Sequence, residues 1–252
     1  MRGREFKDAV FTQFAQIAAA FGSPKRIEIV DLLAQGERNV DAIARETGLS
    51  VANTSRHLHV LKGVSLVASR KEGLQVFYRL ADPMVLRGYR ALQELAEARL
   101  AEVGRLVNDY FGGAGALESV ERDELLKRAR GRDVVVLDVR PVEEYAAGHI
   151  AGAVSVPLAE LERRLAELPR GRRVVAYCRG PYCVLAVEAV RLLRKRGVDA
   201  VRLKDGFPEW RDAGLPVEDA AATAGTIISD SPQRSAVERR RRTKPRATRK
   251  DG

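Results

Sequence analysis

The sequence predicts two folded domains: a mainly α domain carrying a β-hairpin, then an α/β domain with a mainly parallel sheet, followed by a disordered basic tail. Three observations predict this. Up to residue 111, apolar residues recur at helical steps of three and four, broken once by a hairpin pattern. From residue 121, apolar runs of strand length alternate with helical stretches, the order of an α/β domain. From residue 221, aromatic residues vanish and Ser, Thr, Arg and Lys dominate, a composition that cannot bury a core.

In the first domain, Phe6, Val10, Phe14, Ile17 and Phe21 form a helical stripe that stops at Gly22. Ser23 is placed to cap a second helix, with Pro24 at its first position. That helix runs to Ala34, buries Ile27, Val30, Leu32 and Leu33, and ends at Gln35-Gly36. Residues 40–47 form a short helix closed by Gly48, and Ser50 caps the next, which runs to about Lys62. Ser65–Arg70 and Gln75–Leu80 read as two strands around Lys71-Glu72-Gly73-Leu74. After Asp82-Pro83 one long helix is expected to about Phe111, with Leu86, Tyr89, Leu92, Leu95, Leu100, Val103, Leu106 and Tyr110 on its apolar face.

Gly112-Gly113-Ala114-Gly115 is the expected domain boundary. Beyond it, Glu121–Arg130, Glu143–Ala147, Leu161–Leu168 and Val184–Lys195 read as helices. Val134–Asp138, Val174–Tyr177 and Asp199–Leu203 read as strands, the first two buried on both faces. The expected domains are therefore 1–112 and 113–220, with a tail over 221–252.

The net charge of +10 belongs mainly to the tail, which carries 9 basic and 3 acidic side chains. Residues 1–112 carry 16 and 13, and residues 113–220 carry 19 and 18. Any nucleic-acid role of the folded part must therefore rest on pattern rather than bulk charge. The cluster Arg239-Arg240-Arg241-Arg242 with Lys244 and Arg246 either adds nonspecific DNA affinity or serves solubility. No run approaches the ~18 apolar residues of a membrane span. The first residues carry charges where a signal peptide has its apolar stretch. A cytoplasmic protein without membrane association is expected. Two cysteines, Cys178 and Cys183, make no disulfide framework, and no second pair or nearby His completes a zinc site. No metal and no cofactor is expected.

Val40–Lys62 has the pattern of a helix-turn-helix: VDAIARET, the turn GLS, then VANTSRHLHVLK. The second helix places Ser50, Asn53, Thr54, Ser55 and Arg56 near its start, groups that donate and accept at base edges and phosphates in a major groove. Arg70 and Lys71 on the hairpin are placed to touch phosphate as a wing does. With PKRIEIVDLLAQGE, SRHLHVLKGVSLV and KEGLQVFYRL, residues 14–80 resemble the ArsR/SmtB family of winged helix-turn-helix repressors. The resemblance implies a homodimer, paired through its first and last helices, on a palindromic operator in double-stranded DNA, released by an inducer. The usual metal ligands of the family are missing: Glu37 to Asp41 contains no Cys, and residues 83–111 contain no His. His57 and His59 stand two apart on the helix and so face apart.

Cys178 follows an apolar strand and precedes a helix, at the carboxyl end of a parallel strand where open α/β folds place ligands. Loop amides, the positive helix end and Arg179 are expected to stabilise its thiolate. VVVLDVRPVEEYAAGHIAGAVSVPL, VVAYCRGPYC and LKDGFPEWRDAGLP make residues 118–216 similar to the rhodanese (sulfurtransferase) domain, a three-layer α/β fold. The resemblance implies a persulfide on Cys178, sulfur taken from a donor such as thiosulfate, and an active-site loop of Arg179, Gly180, Pro181, Tyr182 and Cys183. Asp138 and Arg140 border that face of the fold, either in support of the site or as a buried ion pair closing the sheet end. His149, Gly206 and Trp210 read as structural. Many rhodaneses carry a basic residue five after the cysteine; this chain has Cys183 there. Cys183 is either a resolving thiol or a small buried hydrophobe at the helix start.

Joined, the two modules read as a DNA-binding regulator, a repressor by resemblance, whose effector is a sulfur donor or an oxidant acting at Cys178. Two alternatives stay open: a working sulfurtransferase whose DNA-binding domain controls its own operon, and a non-catalytic binding module.

Overall fold

The computed structural model describes residues 2–112, 118–131, 133–169 and 171–219. The expected tail over 221–252 and most of the Gly-rich boundary lie outside the described residues.

The first domain begins with α1 (Gly3–Phe21) and α2 (Pro24–Ala34). Pro24 occupies the first turn of α2 as expected, but the Ser23 side chain makes no cap. A two-residue strand β1 (Arg38–Asn39) precedes α3 (Val40–Thr47), capped by Asn39 and closed by Gly48 in the left-handed conformation. Then come α4 (Val51–Gly63), β2 (Val67–Glu72) and β3 (Gln75–Leu80). The hairpin starts two residues later than the pattern suggests and turns on two residues, Gly73-Leu74, with β1 adding a third strand beside β3. Ile29, Leu33, Ile43, Leu58, Leu61 and Tyr89 form the core.

The long C-terminal helix is in fact two, α5 (Pro83–Arg99) and α6 (Ala101–Phe111), broken at Leu100, whose backbone is extended (φ −111°, ψ 98°). No Pro forces the break. Beyond the break α6 meets the second domain, where Arg191 donates to the Tyr110 carbonyl at 3.0 Å and Arg202 lies over the Phe111 ring.

The second domain contains β4 (Ser119–Val120), α7 (Arg122–Arg130), β5 (Val134–Asp138), α8 (Val142–Ala147), β6 (His149–Ile150), β7 (Val154–Ser155), α9 (Leu158–Arg164), β8 (Arg173–Tyr177), α10 (Val184–Lys195), β9 (Ala200–Leu203), α11 (Phe207–Asp212) and β10 (Val217–Glu218). Five strands make a parallel sheet in the order β4-β9-β8-β5-β7. Alternate residues of β5 face opposite layers. Val135 and Leu137 pack with Leu161 and Val190 of α9 and α10, while Val134 and Val136 pack with Leu125 and Trp210 of α7 and α11. Full burial of such side chains stabilises by about 1.5–3 kcal/mol each. Among the described residues, no helix is long and apolar enough to cross a membrane.

Asp138 and Arg140, both fully buried, close the sheet end: Arg140 Nη2 lies 2.6 Å from Asp138 Oδ2. Tyr177 donates to the same carboxylate at 2.5 Å, and Arg140 donates to the Gly148 carbonyl at 2.8 Å. This is the geometry of the ion-pair reading. Removing one partner of such a pair costs about 3–5 kcal/mol, because it strands the other charge.

Candidate functional site

β8 delivers Cys178 to the end of the sheet, and the loop that follows leads to Cys183, which stands just before α10 without a side-chain capping bond. The closing element packs under this loop. Phe207 donates its amide to the Cys178 carbonyl at 3.0 Å. A Cβ on Gly206 would stand 2.3 Å from the Gly180 nitrogen, so only glycine admits the loop there. The sequence reads Gly206 as structural; close approach of the thiol loop is what it serves.

The two thiols differ in environment. Cys178 is 2% exposed, whereas Cys183 is half-buried. The single proton of the Cys178 thiol has alternative acceptors in the Cys183 carbonyl at 3.5 Å and the Cys183 sulfur. Burial pushes the Cys178 thiol well up; its bond to Cys183 adds to that, and loop amides at Ala186 and Gly180 offset only part. Cys183 shifts down, first because it accepts from Cys178, with burial opposing and amides at Arg179 and Leu185 assisting. The expected thiolate-stabilising amides are therefore present, but desolvation outweighs them at Cys178, and of the two thiols it is Cys183 whose pKa is lowered.

Arg179 does not point at the thiols. Its guanidinium binds Glu144 of α8 at 2.6 Å and Glu46 of α3 at 2.8 Å. Burial alone would lower its pKa; the two carboxylates outweigh burial and hold it protonated. Glu144 also receives Arg38 from the first domain at 2.5 Å. Gly180, Pro181, Tyr182 and Cys183 line a cavity facing the first domain, and the Tyr182 hydroxyl bonds Glu97 of α5.

The loop is thus docked on the helix-turn-helix domain. Gln35, 1% exposed, joins both sides: its amide nitrogen donates to the Arg179 carbonyl at 2.9 Å, and its oxygen accepts from Arg140 at 3.3 Å. Arg90 pairs with Asp212 and Glu209 at 2.7 and 3.2 Å. Sequence reasoning missed this group. Gln35, Arg38, Glu46 and Arg90 sit at ordinary helix-end or solvent-face positions, and nothing in their spacing marks them as contacts across domains.

In the first domain, α4 exposes Asn53, Ser55 and Arg56, with Ser50 capping it through the Asn53 amide at 3.3 Å. Thr54 corrects the expected set. It is fully buried, and its hydroxyl donates to the Ser50 carbonyl at 3.0 Å, so it braces the helix start rather than facing DNA. Arg70 is exposed but paired with Glu37 at 2.6 Å and with Glu72; Lys71 is exposed beside it.

Comparison with known proteins agrees with both halves. Residues 23–69 match the family described as "Bacterial regulatory protein, arsR family", and residues 121–213 match the rhodanese-like domain. The chain is 46% identical over 215 residues to the HTH-type transcriptional regulator Rv0324 of Mycobacterium tuberculosis, covering 85% of this chain and 94% of that protein. It is 31% identical over 103 residues to a sulfurtransferase of Allochromatium vinosum, covering 40% of this chain and 94% of that one. The solution structure of the homodimeric winged helix-turn-helix domain of Mb0332 from Mycobacterium bovis shares 39% identity, covers 40% of this chain and 91% of that one, and superposes with a TM-score of 0.37. With a relative of nearly its whole length at that identity, the chain belongs to the ArsR family of transcriptional regulators, in a form that carries a rhodanese-like domain.

Proposed function

We propose that this regulator binds a palindromic operator as a homodimer and that its DNA affinity responds to sulfane sulfur or redox state at Cys178, with Cys183 as the partner thiol. The domains are 1–112 for DNA binding and dimerisation and 113–220 for sensing. Ser50, Asn53, Ser55 and Arg56 enter the major groove, and Lys71 meets phosphate. The observation that carries the reading is the docking of the thiol loop on the helix-turn-helix domain through Gln35 and Glu46. Joining Cys178 to Cys183 through sulfur changes this loop, and α3 is attached to it through Glu46.

Operator-binding titrations of wild type and Cys178→Ser, each with and without a persulfide donor, test this. Wild type is expected to shift with donor and the variant to stay put; four identical curves overturn the reading.

The similarity to a sulfurtransferase over almost all of that protein's length favours a second reading, steady sulfur transfer. Turnover of thiosulfate with cyanide, abolished in Cys178→Ser, would establish it. The engagement of Arg179 by two carboxylates weighs against an efficient anionic donor.

A further inference from the structure

Between the thiol loop and the first domain lies a cavity of about 320 Å3. One wall is the loop, with Arg179, Tyr182 and Cys183; the other is Asp31, Glu46 and Tyr89 of α2, α3 and α5. Cys183 lines this space, while Cys178 lies behind it and is almost wholly buried. A compound entering here meets Cys183 first.

The charges around the cavity are unbalanced. Arg179 is already shared by Glu144 and Glu46, and Glu28 at the rim is paired with Lys25 at 2.8 Å. Asp31 has no cation within ion-pair distance among the described residues; its carboxylate accepts from Tyr89 at 3.2 Å. Burial first, then the neighbouring Glu209 and Glu144 carboxylates, push Asp31 up to about 6, against the Tyr89 hydrogen bond and the charge of Arg179. Glu209 is also raised, mainly by burial, despite Arg90 beside it. Such a field repels an anion and attracts a cation.

We propose that this cavity binds an ammonium-bearing sulfur carrier, an aminothiol persulfide, with its ammonium at Asp31 and its sulfane sulfur at Cys183. The proposal rests on the sulfur-sensing reading above and names the class of effector. The Cys183 thiolate attacks the outer sulfur of R–S–SH. The new Cys183 S–S bond forms, the S–S bond of R–S–SH breaks, and R–S⁻ leaves as the thiol after taking the persulfide proton. The loaded protein then holds Cys183–S–S⁻, protonated from solvent to Cys183–S–SH. The Cys178 sulfur then attacks the Cys183 sulfur and gives up its proton; the bond from Cys183 to the outer sulfur breaks, that sulfur leaves with the proton as hydrogen sulfide, and a Cys178–Cys183 disulfide remains. The two thiols are oxidised, the sulfane sulfur is reduced to sulfide, and no further oxidant is required.

Charge-matched thiol reagents test the cavity directly. In full-length Cys178→Ser protein, labelling of Cys183 by 2-aminoethyl methanethiosulfonate is compared with labelling by 2-sulfonatoethyl methanethiosulfonate. Each rate is divided by that of free cysteine, so reagent reactivity cancels. The cation-to-anion ratio is expected about tenfold above that of free cysteine, from one nearby uncompensated carboxylate. Asp31→Asn is expected to bring it to within about threefold, as is roughly 1 M salt on the protein with Asp31 intact. A ratio equal to that of free cysteine, or one insensitive to both changes, overturns the proposal. The operator titration separates this from the sensing reading. If cations label faster but operator binding ignores sulfur, the cavity stands and sensing falls. If operator binding responds to sulfur but both reagents label alike, sensing stands and the cavity proposal falls.

Discussion

Asp31 shows how a single residue acquires its chemistry from neighbours in another domain. It sits on α2 in the first domain, yet Glu209 and Glu144, which raise its pKa, and Arg179, which lowers it, belong to the second. Its folded pKa of about 6 stands above the ordinary 3.8, so the folded state holds this proton more tightly than the unfolded chain. Its contribution to stability is therefore present below pH 3.8 and is lost as pH rises through about 6. Urea midpoints of wild type relative to Asp31→Asn should fall across that window and level off above it. Parallel midpoint profiles would show that the carboxyl is not desolvated as the structure places it. Cys178 teaches the same lesson in reverse. Its position at a strand end was legible from the apolar run before it. Its burial behind Cys183 was not, because that depends on how tightly the loop packs on Gly206 and Phe207.

At the scale of elements, α1, α5 and α6 carry apolar residues that the described chain does not cover. Phe6, Phe11 and Phe14 are 53–62% exposed, and Leu95, Leu100 and Leu106 are 56–59% exposed. A soluble monomer rarely leaves so many large apolar groups together in water. Under the proposed dimer they pack against the same helices of a second copy, and Phe14→Glu should shift the protein toward monomer in sedimentation while leaving its helical content unchanged. A dimer of undiminished affinity would move the interface elsewhere. The stripe itself was read from spacing alone; periodicity reports which face is apolar, not what covers it. For the same reason the pattern over 83–111 reads as one helix. Leu100 is an ordinary helix former, and nothing in its local pattern announces that α6 beyond it contacts Arg191 and Arg202 of the second domain.

Over the whole molecule, the domains are joined by more than the chain between them. Buried Gln35 bridges Arg140 and the thiol loop, and ion pairs at Arg38, Glu46 and Arg90 surround it. Gln35→Leu leaves two buried polar groups without partners, at a cost of about 1–3 kcal/mol. The single tryptophan, Trp210, reports the second domain alone. Urea transitions followed by its fluorescence and by helical circular dichroism should coincide in wild type and separate in Gln35→Leu; separation already in wild type would mean that the domains are not coupled. By itself the sequence determined the two fold classes, their order, the helix-turn-helix pattern and the place of both thiols on one loop. Each of these is written in local periodicity, turn residues and motif spacing. Only the tertiary structure decided that the thiol loop lies on the helix-turn-helix domain, that Thr54 is internal, and that Cys183 rather than Cys178 meets the cavity. Those outcomes depend on contacts between residues far apart in the chain, such as Gln35 with Arg179, and no local pattern encodes such contacts.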